Sequence, residues 1–405
     1  MDLYVYTAKA FDPTKPSYIY VDGGPGQNTH GQMPEILDGQ YNELRFDQRG
    51  LGCSAPNSYD TYKDPSLYST ENTIRDMELI RKSYGIKSWA VYGVSYGTVP
   101  ATMYGSKYPR ATKSVVLEGV FGNPNMIHRL SYKAEKLNFA LEKLNEAQRD
   151  SFGTLMRKDS VDNSTIVLLA FELFYYNSGM TKLSTYLSRI IETDGTIRRD
   201  IIAKIRQLLQ AKENKYPLPQ QPGAVDENIM NIIYCKNLSY RNRPNEVLYY
   251  GQARGFYTEV ADNSRRAAEC DAVGVQESDE IPFKMTDNVL TIPTYYFQGS
   301  HDGATMATGA IEHWTTVPQN ESYFLLAQKG GHNPNLSSLS ESDAKPAAQS
   351  AEKRLFRMGV SATPIDQKDV NQVNDEIGSQ FWKLYLKLTP GIYDDLRGIQ
   401  AVRPF

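Results

Sequence analysis

Five residues constrain this chain more than any others: Gly93-Val94-Ser95-Tyr96-Gly97, set between the apolar run Trp89-Ala90-Val91-Tyr92 and a helix-forming stretch from Pro100 to Tyr108. A strand that passes into a helix through so short a link needs a sharp, strained turn, and small residues on either side tolerate one. Such a unit requires a sheet whose strands are joined by helical crossovers. The neighbouring sequence supplies it. Ser17-Tyr18-Ile19-Tyr20-Val21 and Glu43-Leu44-Arg45-Phe46-Asp47 are short apolar runs ended by glycine-bearing turns, and Val115-Val116-Leu117 is a further strand. Ser69-Thr70-Glu71 caps a helix with Ile74, Met77, Ile80 and Tyr84 on one face and Gly85 as its stop. The rhythm predicts an α/β fold, a mostly parallel, doubly wound sheet covered on both faces.

The pattern changes near Asn123. Helical periodicities run over Tyr132–Met156, Ile166–Ile191, Ile197–Leu209, Ile229–Cys235 and Val247–Cys270, broken by Pro217-Leu218-Pro219-Gln220-Gln221-Pro222-Gly223. Strand–helix alternation then resumes, with strands at Ile292–Phe297 and Tyr323–Ala327 and a helix at Thr308–Thr316. Two helical stretches, Ser342–Met358 and Asp366–Leu388, complete the chain. The expected organisation is a core formed by residues 1–122 and 285–405, the latter with a helical tail, interrupted by a mainly helical insertion over 123–284.

Composition narrows the function. Basic and acidic residues nearly balance at 44 and 47, with no run of five like charges, so nucleic acid is not an expected partner. No stretch approaches the ~20 apolar residues of a membrane span. Met1-Asp2-Leu3-Tyr4 has neither the basic nor the hydrophobic region of a signal peptide. Cys53, Cys235 and Cys270 lack any CxxC pairing, so no structural zinc is expected.

The chemistry is read from the turn outward. A serine hydroxyl is a weak nucleophile until a base takes its proton, and G-x-S-x-G at a strand–helix junction is where such a serine is presented. The alternative is a glycine-flanked turn with a satisfied hydroxyl. Asp22-Gly23-Gly24-Pro25-Gly26 follows a strand, and its glycines let backbone N–H groups face a developing oxyanion. Gly24 and Tyr96 are the expected donors. A phosphate cradle fits poorly, because no Gly-Lys-Ser/Thr follows. Base and acid belong downstream, in the order serine, acid, histidine. Of the five histidines, His30 precedes the serine, His128 lies at the mouth of the insertion and His313 falls inside a helix. His332, in Gly330-Gly331-His332, follows the last core strand and is the expected base. Asp302, in Gly299-Ser300-His301-Asp302, is the only carboxylate of its loop and the expected acid; His301 is read as a neighbour. Glu118, at the end of the Val115–Leu117 strand, is the rival acid, though a loop carboxylate at the hinge is the preferred reading. Asp47 and Arg49 are expected to form an ion pair supporting the glycine loop. The scheme requires neither metal nor organic cofactor.

Gly23-Gly24-Pro25-Gly26, Asp47-Gln48-Arg49-Gly50-Leu51-Gly52-Cys53-Ser54 and Gly93-Val94-Ser95-Tyr96-Gly97-Thr98, with Gly299–Asp302 and Gly331-His332, resemble the proline iminopeptidase and tripeptidyl aminopeptidase family. The likeness covers about residues 15–120 and 285–335. It implies an α/β-hydrolase core, a helical cap and release of N-terminal residues from short peptides with a free N-terminus. The family usually has His at Asp22 and Arg at Cys53, and these departures bear on specificity. An exopeptidase needs a carboxylate for the substrate ammonium; Glu172 and Glu259 stand out among aromatics, with ordinary surface glutamates the equal alternative. Cys235 and Cys270 are similar to cysteines of the tripeptidyl branch that pair. A disulfide there implies the periplasm or the exterior, and two free thiols the cytoplasm. Within the same fold an esterase or lactonase is the competing enzyme. A hydrolase fold used only for binding is the non-enzymatic alternative, disfavoured because Ser95, Asp302 and His332 are all present.

Overall fold

A computed structural model describes the whole chain except residues 1, 30–35, 125–139, 142, 157–160, 175, 177–178, 214–223, 243–247, 251–253, 257–262, 319, 333–335, 337–341, 379–382 and 388–405. The strands are β1 (Val5–Thr7), β2 (Ser17–Val21), β3 (Asn42–Phe46), β4 (Trp89–Val94), β5 (Thr112–Glu118), β6 (Leu248–Tyr250), β7 (Arg254–Phe256), β8 (Thr294–Gly299), β9 (Ser322–Ala327) and β10 (Leu384–Leu386). All but β6 and β7 form one eight-stranded sheet of order β1-β3-β2-β4-β5-β8-β9-β10. The edge strands β1 and β10 run antiparallel to their neighbours, and every strand between them runs parallel.

The helices are α1 (Tyr59–Lys63), α2 (Thr70–Ser83), α3 (Thr98–Lys107), α4 (Glu146–Met156), α5 (Val161–Phe174), α6 (Gly179–Ile190), α7 (Arg199–Glu213), α8 (Glu227–Asn237), α9 (Asn263–Ala272), α10 (Ala307–Thr315), α11 (Lys345–Ser361) and α12 (Gln367–Ile377). Alternation along the inner strands fills both faces of the sheet. Val91, Val115, Leu117, Tyr296 and Phe324 join Ile74 and Met77 of α2, Tyr104 of α3 and Ala310 of α10 on one side. Ala90, Tyr92, Val116, Tyr295 and Leu325 join Leu355 and Phe356 of α11 and Val370 of α12 on the other. Every residue of β4 is buried, as a central parallel strand requires.

Because β5 pairs directly with β8, residues between them form an excursion from the sheet. Helices α4 to α7 in this excursion bury their own apolar cluster, with Phe152, Ile166, Leu183, Leu187 and Ile202 at its centre. Helix α8 packs instead against the core, where Ile229, Ile232 and Ile233 meet Leu51, Tyr68, Tyr96, Val99 and Phe121. Cys235 of α8 and Cys270 of α9 are joined by a disulfide, and Cys53 is the exposed free thiol among the described residues. No helix among the described residues is long and apolar enough to cross a membrane.

Two helical expectations are corrected. The stretch Val247–Cys270 holds the short antiparallel pair β6 and β7 before α9 begins, because Tyr249 and Tyr250 favour extension and Gly255 disfavours a helix. The stretch Asp366–Leu388 ends as a helix at Ile377, where Gly378 takes a left-handed φ of 59°. Leu384 and Leu386 then alternate with Tyr385 and add β10 to the sheet edge. The break expected at Pro217–Gly223, and residues 132–139 and 142 of the helix expected from Tyr132, lie outside the described residues, as do His30 and His128.

His313 of α10 shows how the helices lock onto the sheet. Its Nδ1 lies 2.8 Å from the Tyr296 hydroxyl of β8, and its Nε2 lies 3.1 Å from Thr102 Oγ1 of α3. Burial lowers its pKa to about 4. The unfolded chain then takes up a proton below about pH 6.5 that the folded chain refuses, so stability falls as pH drops from 6.5 towards 4. Denaturant titrations across that range should show wild type losing roughly 3 kcal/mol more than His313→Gln. Parallel pH profiles for the two proteins would contradict the neutral buried ring.

Candidate active site

Ser95 follows the last residue of β4 and has a φ of 56°, a left-handed conformation uncommon for a side chain-bearing residue. The turn is wedged in place by contacts that only glycine permits. A Cβ on Gly93 would lie 2.3 Å from the Gly97 carbonyl oxygen, and one on Gly97 would lie 2.1 Å from that of Val21. Thr98 at the head of α3 donates to the Ser95 carbonyl at 2.6 Å. The loop after β2 closes on the same spot: a Cβ built on Gly23 would stand 3.0 Å from Ser95 Cβ. Gly24 is the next residue of that loop. Tyr96, which follows Ser95, is wholly buried, and its hydroxyl lies 2.8 Å from Thr70 Oγ1.

Asp302 and His332 are brought together from the ends of β8 and β9. Asp302 is fully buried, and its Oδ1 accepts the backbone N–H groups of Ala304 at 2.8 Å and Thr305 at 2.9 Å. Oδ2 accepts Thr305 Oγ1 at 2.8 Å and Gln298 Nε2 at 3.0 Å. His332 Nδ1 lies 3.1 Å from Oδ2, and 3.0 Å from Thr305 Oγ1. So many donors suit an acceptor-only carboxylate and fix its plane. The two loops are knitted by backbone contact: His301 N–H donates to the Gly330 carbonyl at 2.8 Å, and Ser300 N–H to Ala327 at 3.0 Å.

Register relates this pair to the serine. Val94 of β4 pairs with Glu118 of β5, so the next residues, Ser95 and Gly119, leave the sheet side by side. A Cβ on Gly119 would stand 3.1 Å from His332 Cε1 and 3.2 Å from its Nδ1. The imidazole therefore lies against the strand end adjoining Ser95, with its Nδ1 turned to Asp302. Glu118, the rival acid, instead holds the Tyr92 hydroxyl. Glu172 lies on α5, and Glu259 falls outside the described residues. No group of three or more His, Cys, Asp or Glu side chains among the described residues is placed to hold a metal ion.

Residues 19–339 match the model of the alpha/beta hydrolase fold family. The chain belongs to that family. Among similar proteins, a probable proline iminopeptidase of Streptomyces coelicolor is 31% identical over 123 residues, 30% of this chain and 38% of that protein. The proline iminopeptidase of Neisseria meningitidis serogroup B is 33% identical over 122 residues, 29% of this chain and 36% of that one. These matches span well under half the length of the curated relatives. Of solved structures, Mycobacterium smegmatis proline iminopeptidase has 12% identity and a TM-score of 0.44, covering 89% of this chain and 95% of its own.

Beyond the expected residues, this α/β hydrolase surrounds the glycine loop with buried charge that the sequence reading paired differently. Asp47 and Arg49 do not form an ion pair. Arg49 reaches Asp76 of α2, with Nε 2.8 Å from Oδ2. Asp47 takes Thr29 N–H at 2.7 Å, Thr29 Oγ1 at 2.8 Å, the Tyr6 hydroxyl at 2.8 Å and Cys53 N–H at 3.0 Å. Its support of the loop runs through Thr29. Asp22 is gripped from two sides by Arg45, whose Nε donates at 2.8 Å and whose Nη2 meets Oδ1. Burial raises the Asp22 carboxyl above its ordinary range, and Arg45 opposes that rise. Gln298 and Thr305 were not legible as site residues, although both lie within four positions of Asp302.

Gly97→Ala should destabilise the hydrolase by about 2–4 kcal/mol in chemical denaturation, since backbone of β2 must move to admit the methyl group. Gly85→Ala is the reference, with nothing within 4 Å and only a φ of 66° to strain it; its loss should be about 1 kcal/mol. Equal losses would contradict the packing between the Ser95 turn and β2.

Proposed function

We propose that this chain is a serine aminopeptidase that releases N-terminal residues from short peptides, in the manner of a proline iminopeptidase or a di- or tripeptidyl peptidase. The observation that carries the reading is the buried Asp302 carboxylate 3.1 Å from His332 Nδ1, its imidazole set against Gly119 beside Ser95. The proline iminopeptidase relatives support peptide as the substrate class.

In this mechanism Ser95 Oγ attacks the scissile carbonyl carbon as His332 Nε2 takes its proton. Asp302 holds the tautomer that carries hydrogen on Nδ1 and stabilises the imidazolium. Gln298 and Thr305 keep that carboxylate oriented. The Gly24 and Tyr96 N–H groups hold the oxyanion. Collapse breaks the C–N bond, and the amine leaves with the proton from His332. Water, deprotonated by the same imidazole, then attacks the acyl-enzyme and frees the carboxylic acid and Ser95. Residues 123–284 act as a cap that admits short chains, and a cap carboxylate meets the substrate ammonium. The Cys235–Cys270 disulfide supports an oxidising compartment.

Wild type should react with a fluorophosphonate probe and Ser95→Ala should not. Hydrolysis should fall by about 10³-fold or more in Ser95→Ala and by roughly 10³–10⁴ in Asp302→Asn. Equal labelling of wild type and Ser95→Ala would sink the assignment of the nucleophile. Peptide anilides with free N-termini should be cleaved at least about tenfold faster than N-blocked anilides, a gap of about 1.4 kcal/mol. Preference for blocked peptides or aryl esters would replace the aminopeptidase with an esterase of the same fold. Thr305→Val should lower kcat by about tenfold with KM little changed, as loss of one hydrogen bond to a charged group predicts.

A further inference from the structure

The glycine loop that lies against Ser95 is held on its far side by the excursion between β5 and β8. Gln27 and Val225 form an antiparallel bridge. Asn28 N–H donates to the Ala224 carbonyl at 3.0 Å, and Asp226 N–H donates to the Gly26 carbonyl at 2.8 Å. Contact is close: a Cβ on Gly26 would lie 2.7 Å from the Asp226 carbonyl oxygen and 3.2 Å from Met230 Cβ. The first turn of α8 therefore rests directly on the loop.

Asp226 fixes that turn twice. Its carboxylate caps α8 by accepting Ile229 N–H at 2.9 Å, and it accepts the Tyr62 hydroxyl of α1 with oxygens 2.7 and 2.8 Å away. One carboxylate thus satisfies the helix end and the phenol together. Burial raises the Tyr62 pKa, and Asp226 raises it further, so the phenol stays protonated and donating. The far end of α8 is anchored as well. Asn237 at its end accepts Thr70 N–H at 2.9 Å, Lys236 Nζ reaches the Pro65 carbonyl at 2.5 Å, and Cys235 is bonded to Cys270. Its apolar face shares one cluster with Tyr96 and Val99, which flank the Ser95 turn.

We propose that Asp226 and Tyr62 are positioning residues for the acyl-transfer reaction. Asp226 binds the Gly26 carbonyl through its N–H and Tyr62 through its carboxylate, and so holds the Gly23–Gln27 loop at the spacing from Ser95 that an oxyanion requires. This rests on the reading of Ser95 as nucleophile and Gly24 as oxyanion donor. Neither residue touches substrate. Their effect appears where the tetrahedral oxygen is held, in kcat and in the phosphonylation rate, and not in ground-state binding.

The test uses the full chain, with Tyr62→Phe, Asp226→Asn and Asp226→Ala compared with wild type and Ser95→Ala. Tyr62→Phe removes only the phenol tether and leaves the helix cap, which keeps the test valid where Asp226→Ala fails to fold. Second-order labelling by a fluorophosphonate and kcat on a free peptide anilide should both fall about 10-fold in Tyr62→Phe and up to about 100-fold in Asp226→Ala, with KM within about twofold. Asp226→Asn keeps a cap oxygen and should fall between them. Wild-type labelling with equal rates in folded variants would overturn the positioning role alone, as would losses confined to KM or explained by the unfolded fraction. Failure of wild type to label, or labelling of Ser95→Ala, would overturn the nucleophile reading and this inference with it.

Discussion

The close approach of the β4 turn to the end of β2 governs this structure. Gly97 packs so closely against the Val21 and Asp22 carbonyls that any side chain there would push the turn and the end of β2 apart. Ser95 and the glycine loop therefore share one rigid support. The left-handed serine costs about 1–2 kcal/mol. Burial on both faces of the sheet offsets it: Ile19, Val91, Val115 and Leu117 are fully enclosed, each contributing about 1.5–3 kcal/mol.

The same packing removes carboxylates from water, and each is answered by donors. Asp302 is satisfied by backbone and side chain together, Asp47 by Thr29, Tyr6 and Cys53, and Asp22 by Arg45. Removing Arg45 would leave the Asp22 charge buried without its counter-ion, a loss of about 3–5 kcal/mol. These networks therefore act as fixed posts around a strained turn. Arg45 also lies over the Tyr20 ring, 4.8 Å from its centroid, which seats the guanidinium below the loop.

Much of this was legible in the sequence, and the limits have physical causes. The inner strands announce themselves because burial on both faces demands continuous apolar runs, as in Trp89–Tyr92 and Tyr323–Ala327. The edge strands β1 and β10 do not, since three residues paired on one side leave little pattern. Asp302 and His332 could be reached by elimination because each is the natural occupant of a loop after a core strand. Thr305 and Gln298 could not, because a hydroxyl or an amide gains its meaning only when the turn folds it onto Asp302. The Asp47–Arg49 pairing failed for a related reason: neighbours in sequence on opposite sides of a bend meet different partners. Asp226 signals no more than a helix cap, because the Gly26 it bonds is distant in the chain.

The direct pairing of β5 with β8 has a further consequence for how such chains diversify. A segment whose two ends emerge from adjacent strands can be exchanged for another without disturbing the sheet, so the excursion is the natural unit for recombination. The Ala224–Asn237 stretch sets a boundary on that freedom. It belongs by sequence to the exchangeable part and by contact to the scaffold of the sheet, through Gly26, Tyr62 and Thr70. A transplanted excursion would have to bring a matching helix with it, whereas α4 to α7, which bury a cluster of their own, carry no such requirement.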